Sequence, residues 1–348
     1  MSFDRDELSR AFGRAINADA YDVTAIDPHL RIHSVTGGVF RVTTADNDTV
    51  IVKVVRNGID KDPDALWVAG QDPAHRNYWK REWEAFASGL LDSLPGRLRA
   101  PRTLHATQPS DDECHIWMED VRGRTGATLT LDDYRNAAYD LATTQRAFDT
   151  ALPDHDWLSK RWLRGWVDAC ARYVDIGLDH LAPLRPLASR IERLWQRRND
   201  LLAIVEQAPQ TLVHCDFWPT NVIAADDGTT VAIDWSQIGI GAFAQDIDQL
   251  TLDPVWMQVR PDESLDRVED IVLTAYAEGL QADSEDVRRW YAAAAGAHYA
   301  WMAGAHASRI NDADALEQRF GRSYEDLTVD RARVVERALD LGEWVLEH

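Results

Sequence analysis

Apolar residues recur along this chain at two different periods, and the change of period divides it. Leu8, Phe12 and Ile16 fall at i, i+4 and i+8, which predicts an amphipathic helix over residues 5–17. Strand-like stretches follow. Arg31–Ser34 leads through Val35-Thr36-Gly37-Gly38 into Val39–Thr44, Ala45-Asp46-Asn47-Asp48 makes a turn, and Thr49–Arg56 is a strong β-rich run. Residues 58–76 are polar and punctuated by Gly58, Pro63, Gly70 and Pro73, which predicts a long loop. Asn77 is placed to cap a helix over about 78–92, with Trp79, Trp83, Phe86 and Leu90 on one face. Two further short strands are expected near 102–106 and 114–118.

Past Asp120-Val121-Arg122-Gly123 the pattern becomes helical. Long periodic segments lie near 131–149, 157–175 and 187–207. A strand-and-loop island at 211–235 interrupts them, and helices return near 262–280, 285–309 and 323–346. A β-rich first third followed by a mostly helical remainder predicts an α+β chain of two lobes. The expected division is an N-terminal lobe at 1–118 and a C-terminal lobe at 119–348. There is no internal repeat and no low-complexity tract.

Composition narrows the function classes. At 348 residues the chain is long enough to bury a large core without a disulfide or metal staple. A hydrophobic content of 45% with 14 Trp excludes disorder as the main state. The net charge of −21, from 37 Lys+Arg against 58 Asp+Glu, argues against a general nucleic-acid binder and against an anionic membrane surface. Cys114, Cys170 and Cys215 are odd in number and widely spaced, the usage of a reducing compartment. The first residues lack a basic and an apolar signal region, and no apolar run approaches a membrane span. A cytoplasmic location is the expectation.

The charge is uneven. Between Arg198 and Arg260 there is no Lys or Arg, and that window holds nine acids: Asp200, Glu206, Asp216, Asp226, Asp227, Asp234, Asp246, Asp248 and Asp253. Compositional drift in an acidic protein accounts for such a window. A site for a divalent metal and a cationic substrate is the sharper reading. Only four residues of the chain are Lys (Lys53, Lys61, Lys80 and Lys160), so Lys53 inside an apolar strand stands out.

The most informative stretch is Leu212-Val213-His214-Cys215-Asp216-Phe217-Trp218-Pro219-Thr220-Asn221-Val222-Ile223, followed by Val231-Ala232-Ile233-Asp234-Trp235. The order is H-x-D-x-x-x-x-N … D, with each polar residue flanked by apolar strand-like residues. Phosphoryl transfer needs positioning and charge stabilisation more than covalent help. One carboxylate must orient and accept the proton of an attacking hydroxyl, a role that suits Asp216. A second carboxylate and an amide oxygen must hold Mg²⁺ against nucleotide phosphates, which suits Asp234 and Asn221. His214 would brace the loop through hydrogen bonds.

These segments resemble the catalytic loop and metal motif of the aminoglycoside phosphotransferase and choline-kinase-like family, relatives of protein kinases. The resemblance implies a two-lobed protein-kinase-like fold, with an antiparallel sheet and one helix in the N-lobe and a mostly helical C-lobe. It implies ATP and Mg²⁺ as cofactors and a small-molecule hydroxyl as acceptor. Lys53, in Val50-Ile51-Val52-Lys53-Val54-Val55, resembles the strand Lys that contacts the α/β-phosphates. Glu82 resembles the helix Glu paired with it, with Glu84 as the competing choice. Gly37 and Gly38 sit where the family has its phosphate-covering turn, and the backbone of Glu119 and Val121 sits where the family's hinge meets adenine. Asp246 matches an acid that supports the catalytic loop, while Asp248 is unassigned, facing substrate or solvent.

The sequence departs from the family at several places. Cys215 and Thr220 stand where Gly is frequent, Ser236 follows Asp234-Trp235 where an acid is common, and Leu141–Arg146 lacks the usual Leu-His ending. None removes a catalytic group.

Other candidates weigh less. Gly239-Ile240-Gly241-Ala242-Phe243-Ala244 fits a dinucleotide-binding G-x-G-x-x-A, but that reading needs a following βαβ unit and the chain beyond 245 reads helical. His298 and His306 read as packing residues on an Ala-rich helix, and Trp157, Trp162 and Trp166 as helix packing. The combined expectation is a kinase of an aminoglycoside-like or amino-sugar acceptor. Its rivals are a kinase of a macrolide, nucleoside or other metabolite, a non-catalytic nucleotide-binding module on the same fold, and a metal-dependent hydrolase.

Overall fold

The computed structural model describes residues 3–16, 21–26, 35–58, 68–148 and 151–348. The expected strand at Arg31–Ser34, and residues 59–67 of the expected loop, lie outside them. The chain divides into two compact units. One comprises Met1–Arg124, Asp154–Ser159 and Ile223–Ile238, and the other Thr125–Pro153, Lys160–Val222 and Gly239–His348. Two segments from well beyond residue 119 thus belong to the first unit.

The first unit contains α1 (Arg5–Phe12), β1 (Tyr21–Ile26), β2 (Thr36–Thr44), β3 (Thr49–Arg56), α2 (Arg81–Ala87), β4 (Leu98–Arg99), β5 (Thr103–Ser110), β6 (Glu113–Glu119) and β7 (Gly123–Thr125). Five strands form an antiparallel sheet in the order β1-β2-β3-β6-β5. Successive side chains of a strand take opposite faces. Val50, Val52 and Val54 of β3 therefore join one core, with Val42, Trp117 and the α1 residues Leu8 and Ala11, together with Phe3 and Ile16. Helix α1 is capped by the Asp4 carboxylate, which accepts from the Asp6 amide at 2.8 Å. It ends sooner than the apolar spacing predicts because Gly13 turns left-handed at φ 63 and closes it.

The expected helix at 78–92 is shorter, Arg81–Ala87. Asn77 does not cap it. Gly70 and the Asn77–Trp79 stretch instead exchange backbone hydrogen bonds (Gly70 N–H to Asn77 at 2.9 Å, Trp79 N–H to Gly70 at 3.0 Å), and the Asn77 amide donates to the Val68 carbonyl at 3.3 Å. A second sheet, ordered β4-β11-β10-β7, uses β10 (Val222–Ala225) and β11 (Thr230–Ala232), with β4 parallel to β11.

The second unit is mainly helical: α3 (Leu131–Ala147), α4 (Trp162–Val174), α5 (Ala188–Gln196), α6 (Arg198–Gln207), α7 (Ile247–Trp256), α8 (Leu265–Leu280), α9 (Ser284–Tyr299), α10 (Met302–Ala307), α11 (Ala313–Phe320) and α12 (Tyr324–Glu347). Strand β8 is the pair Ser159–Lys160. Strands β9 (Gln210–Val213) and β12 (Gly239–Ala242) pair antiparallel, so the glycine-rich motif at 239–244 is a strand and not a dinucleotide turn. The segments expected at 187–207 and 285–309 each break in two, at Arg197 and at Ala300–Trp301. Among the described residues no helix is long and apolar enough to cross a membrane.

Helix α8 lies against α3 at a distance set by glycine. A Cβ at Gly279 would stand 2.6 Å from the Tyr139 carbonyl oxygen and 2.9 Å from the Ala142 Cβ. Gly279→Ala is therefore expected to destabilise the protein by about 1–3 kcal/mol in a denaturant titration, despite alanine's higher helix propensity, because neither backbone can yield without repacking.

Helix α1 is also held electrostatically. The buried Glu7 carboxylate pairs with His115 Nδ1 at 2.9 Å and accepts from Thr107 Oγ1 at 2.5 Å, while His115 Nε2 meets Glu113 at 2.9 Å. Burial pushes the Glu7 carboxyl up, but the hydrogen bonds from His115 and Thr107 outweigh it and leave it below 4.5. Burial lowers the His115 imidazole, and its bonds to Glu7 and Glu113 outweigh that, leaving it above 6.5. The Glu7 contribution is present above its unfolded value and is lost as pH falls through the lower folded one. The His115 contribution is present below its unfolded value and is lost as pH rises through the higher folded one. The stability gap between wild type and Glu7→Gln is thus expected to be widest between about pH 4.5 and 6.5. A thermal-melting series should show it narrowing on both sides, and a gap that grows above pH 7 would contradict the pairing.

Candidate active site

The first unit gathers one buried cation and two carboxylates. Lys53 lies in β3, in register with Val39 of β2 and Ile116 of β6. It takes the sheet face opposite to Val52 and Val54, and so points away from the α1 core. Its Nζ stands 2.6 Å from Glu82 Oε2 and 2.8 Å from Asp234 Oδ1. Side-chain exposure is 8% for Lys53 and 3% for Glu82 but 26% for Asp234, so the accessible member is Asp234. Burial alone would lower the pKa of the ammonium. The Asp234 and Glu82 charges outweigh that and raise its pKa above the usual lysine value. Burial pushes the Glu82 carboxyl up to about 7 against the pull of Lys53, and the Trp235 backbone N–H also donates to it.

Asp234 adopts φ 62 and ψ 64 at the start of the tight turn Trp235–Gln237. Left-handed backbone is tolerated by Asp and Asn better than by most side chains. The turn is held by the Trp235 indole N–H, which donates to the Ala232 carbonyl at 2.7 Å. Gly37 and Gly38 lie in β2 at a register shift against β3, with Gly38 at φ 153. Glu119 closes β6. Its carboxylate accepts from Arg99 at 3.0 and 3.1 Å and from the Arg102 amide at 2.9 Å. Val121 follows two residues later, after Asp120, which Arg41 clamps with bonds of 2.7 and 2.9 Å.

The second unit holds the loop from His214 to Asn221. The buried Asp246 carboxylate, just before α7, accepts the backbone N–H of His214 and of Cys215, each at 2.8 Å. Cys215 stands at φ 61, which is why glycine is comfortable at this position of such loops. The Asp216 amide donates to His214 Nδ1 at 3.2 Å, and the Phe217 amide to Gln249 Oε1 at 3.0 Å. The Asn221 Nδ2 donates to Asp216 Oδ2 at 2.7 Å and to the Asp216 carbonyl at 3.0 Å. Thr125 Oγ1 donates to the Pro219 and Thr220 carbonyls at 3.3 and 3.2 Å. The half-buried Asp216 carboxylate is therefore fixed from both ends of its loop.

Sequence reasoning missed several residues that build this arrangement. Gln145 on α3 donates to Asp246 Oδ2 at 2.9 Å, and its Oε1 accepts from the Tyr276 hydroxyl, which in turn accepts the Ala244 amide at 2.9 Å. The trace in the sequence is that the segment Leu141–Arg146, which contains Gln145, departs from the expected helix ending. Burial pushes the Asp246 carboxyl up to about 7, with the His214 and Cys215 amides pulling against it. Asp248 does not face solvent: it is buried on His298 Nδ1 at 2.8 Å. His298 and His306 have separate partners, since His306 Nε2 bonds Thr328 at 2.8 Å. Trp162 and Trp166 stack on each other, each edge-on to His298.

In the nine-acid window Asp234 pairs with Lys53 and Asp248 with His298, Asp200 bonds Arg197 at 2.6 Å, Glu206 bonds Arg164 at 2.7 Å, Asp216 and Asp246 are held by neutral N–H donors, and Asp253 is buried. Removing the Asp246 carboxylate strands three buried donors. Asp246→Ala is expected to cost at least about 3 kcal/mol of stability by denaturant titration, at roughly 1–3 kcal/mol for each unsatisfied group.

A model of the phosphotransferase enzyme family matches residues 31–304 of the chain. No curated protein matches it. Among solved structures, an amicoumacin kinase in complex with AMP-PNP, Ca²⁺ and Ami superimposes with a TM-score of 0.57 at 14% identity, covering 87% of this chain and 88% of that one. A spectinomycin phosphotransferase in complex with ADP and spectinomycin gives 0.57 at 13% identity, covering 97% and 100%. A microcompartment-associated aminopropanol kinase gives 0.56 at 16% identity, covering 99% and 98%. The fold is thus the kinase-like α+β one, with an N-terminal antiparallel sheet and a helical C-terminal part.

Proposed function

This chain belongs to the phosphotransferase enzyme family, and from that premise we propose that it transfers the γ-phosphate of ATP to a hydroxyl of a small molecule with a divalent metal, Mg²⁺, as cofactor. The observation that carries the reading is Lys53, a buried ammonium on a strand held between Glu82 and Asp234. Lys53 steadies the α/β-phosphates, and Glu82 keeps it charged and aimed. Gly37 and Gly38 cover the phosphates with backbone N–H groups, and the backbone of Glu119 and Val121 meets the adenine edge.

Asp216 orients the acceptor hydroxyl and takes its proton as the oxygen bonds to phosphorus and the bond to the ADP oxygen breaks. His214 and Asn221 hold Asp216 in place through the bonds described. The oxygen donors suit a hard divalent ion, which is commonly bound by one or two protein groups plus substrate phosphates. Both hydrogen bonds of the Asn221 side chain are donated by Nδ2, which leaves Oδ1 to coordinate, and Asp234 is the accessible carboxylate of its cluster. When bound, the ion neutralises charge on the phosphates.

The pairing of Asp200, Glu206 and Asp234 with Arg197, Arg164 and Lys53 offsets part of the charge that favoured a cationic acceptor. Aminoglycosides and amino sugars head the panel to be tested, beside macrolides, nucleosides and amino alcohols. With radiolabelled ATP and Mg²⁺, one class should gain a single phosphate. Asp216→Asn is expected to lower kcat on that acceptor by about 10²–10⁴-fold with the KM for ATP within a few-fold. Equal slow turnover by wild type and variant across the whole panel would favour a non-catalytic nucleotide-binding role.

A further inference from the structure

Arg81 is the residue before Glu82, and the string Lys80-Arg81-Glu82 reads in sequence as an ordinary charged helix start. In the fold Arg81 is 0% exposed, and among the described residues five backbone carbonyls accept from its guanidinium. Nε donates to Trp157 at 2.7 Å. One terminal nitrogen donates to Arg76 at 2.7 Å and Ser236 at 3.5 Å, and the other to His75 at 2.7 Å and Pro73 at 3.4 Å. Five is the number of N–H donors a guanidinium carries, in a fixed planar fork. The acceptors come from three separate stretches of the first unit: 73–76, the 154–159 segment and the turn after Asp234.

Helix α2 needs such an anchor. It has seven residues, and its N-cap residue Lys80 makes no side-chain capping bond. A helix this short does not hold itself in place. Yet Glu82, in its first turn, must keep its carboxylate 2.6 Å from Lys53 while accepting the Trp235 amide. We propose that Arg81 is a positioning residue for nucleotide binding: it pins the first turn of α2 to residues 75–76, 157 and 236, and thereby fixes Glu82 on Lys53 and the Asp234 turn beside them. This rests on the reading of Lys53 and Asp234 as the ATP-phosphate side of the site.

The first test is Arg81→Lys, which keeps charge and stem but replaces the five-donor fork with three donors on one point. ATP affinity by calorimetry is expected to weaken about tenfold, with the acceptor KM unchanged within twofold. In a double-mutant cycle with Glu82→Gln, the two losses should be strongly sub-additive, because Arg81 acts through Glu82. A lowered melting temperature with ATP affinity unchanged, or fully additive losses, would overturn the inference and leave Arg81 a fold-stabilising residue. Wild type that binds no ATP would remove the nucleotide reading itself, and the inference with it. If Arg81→Lys does not fold, native-state hydrogen exchange on wild type decides. Amides around 82–84, 157–158 and 235–237 should open with one shared free energy, and independent opening would contradict the clamp.

Discussion

A lysine ammonium taken out of water stays charged only where opposite charges surround it, and the first unit is organised around that demand at Lys53. Its two carboxylates come from places far apart in the chain, Glu82 on a short helix and Asp234 in a left-handed turn. Neither could hold its position alone. The antiparallel sheet supplies a rigid strand, the α1 core fills the opposite sheet face, and the buried Arg81 fork and the Trp235 indole tie down the segments that bear the two acids. Breaking one partner of a buried pair leaves an uncompensated charge, so the elements around it carry a joint constraint.

The second unit solves a different problem, that of holding a loop whose backbone visits left-handed conformations. Cys215 and Ala244 both have positive φ, at 61 and 63. Such residues persist where the surroundings over-determine them. Here the amides of His214 and Cys215 are taken by Asp246, and that of Ala244 by Tyr276, with Gln145 linking the two acceptors. The polar network is dense because the backbone donors are buried and must be satisfied.

Much of this was legible in the chain, for physical reasons. The apolar run around Lys53 and the H-x-D-x-x-x-x-N … D order are local patterns that determine local structure, and the strand and loop they predict are present. The switch from period two to helical spacing marks where helices begin to dominate. What was hidden is non-local. The hydrophobic pattern cannot show that Arg81 is wholly buried, because a charged residue on a short helix looks the same inside or out. It cannot show that Gln145 bridges Asp246 and Tyr276, or that Asp248 turns inward to His298. The predicted helix at 78–92 was too long because backbone pairing between Gly70 and Asn77–Trp79 takes residues the side-chain spacing assigned to the helix. The acid-rich window shows the same limit: counting charges along the chain does not reveal which are already paired.

The α1 core bears on where this protein can be divided. The family match begins at residue 31 and ends at 304, but the first unit's core takes Phe3, Leu8, Ala11 and Ile16 from before that range. Beyond it, α12 lies against α9 so closely that a Cβ on Gly296 would meet the Gly342 backbone at 2.8 Å. A fragment trimmed to the matching region would lose one wall of each unit. It would expose Trp117 in the first and the alanine-lined face of α9 in the second, surfaces suited to clumping rather than to chemistry. The recognisable part of the sequence is therefore smaller than the part that must be made together for it to fold.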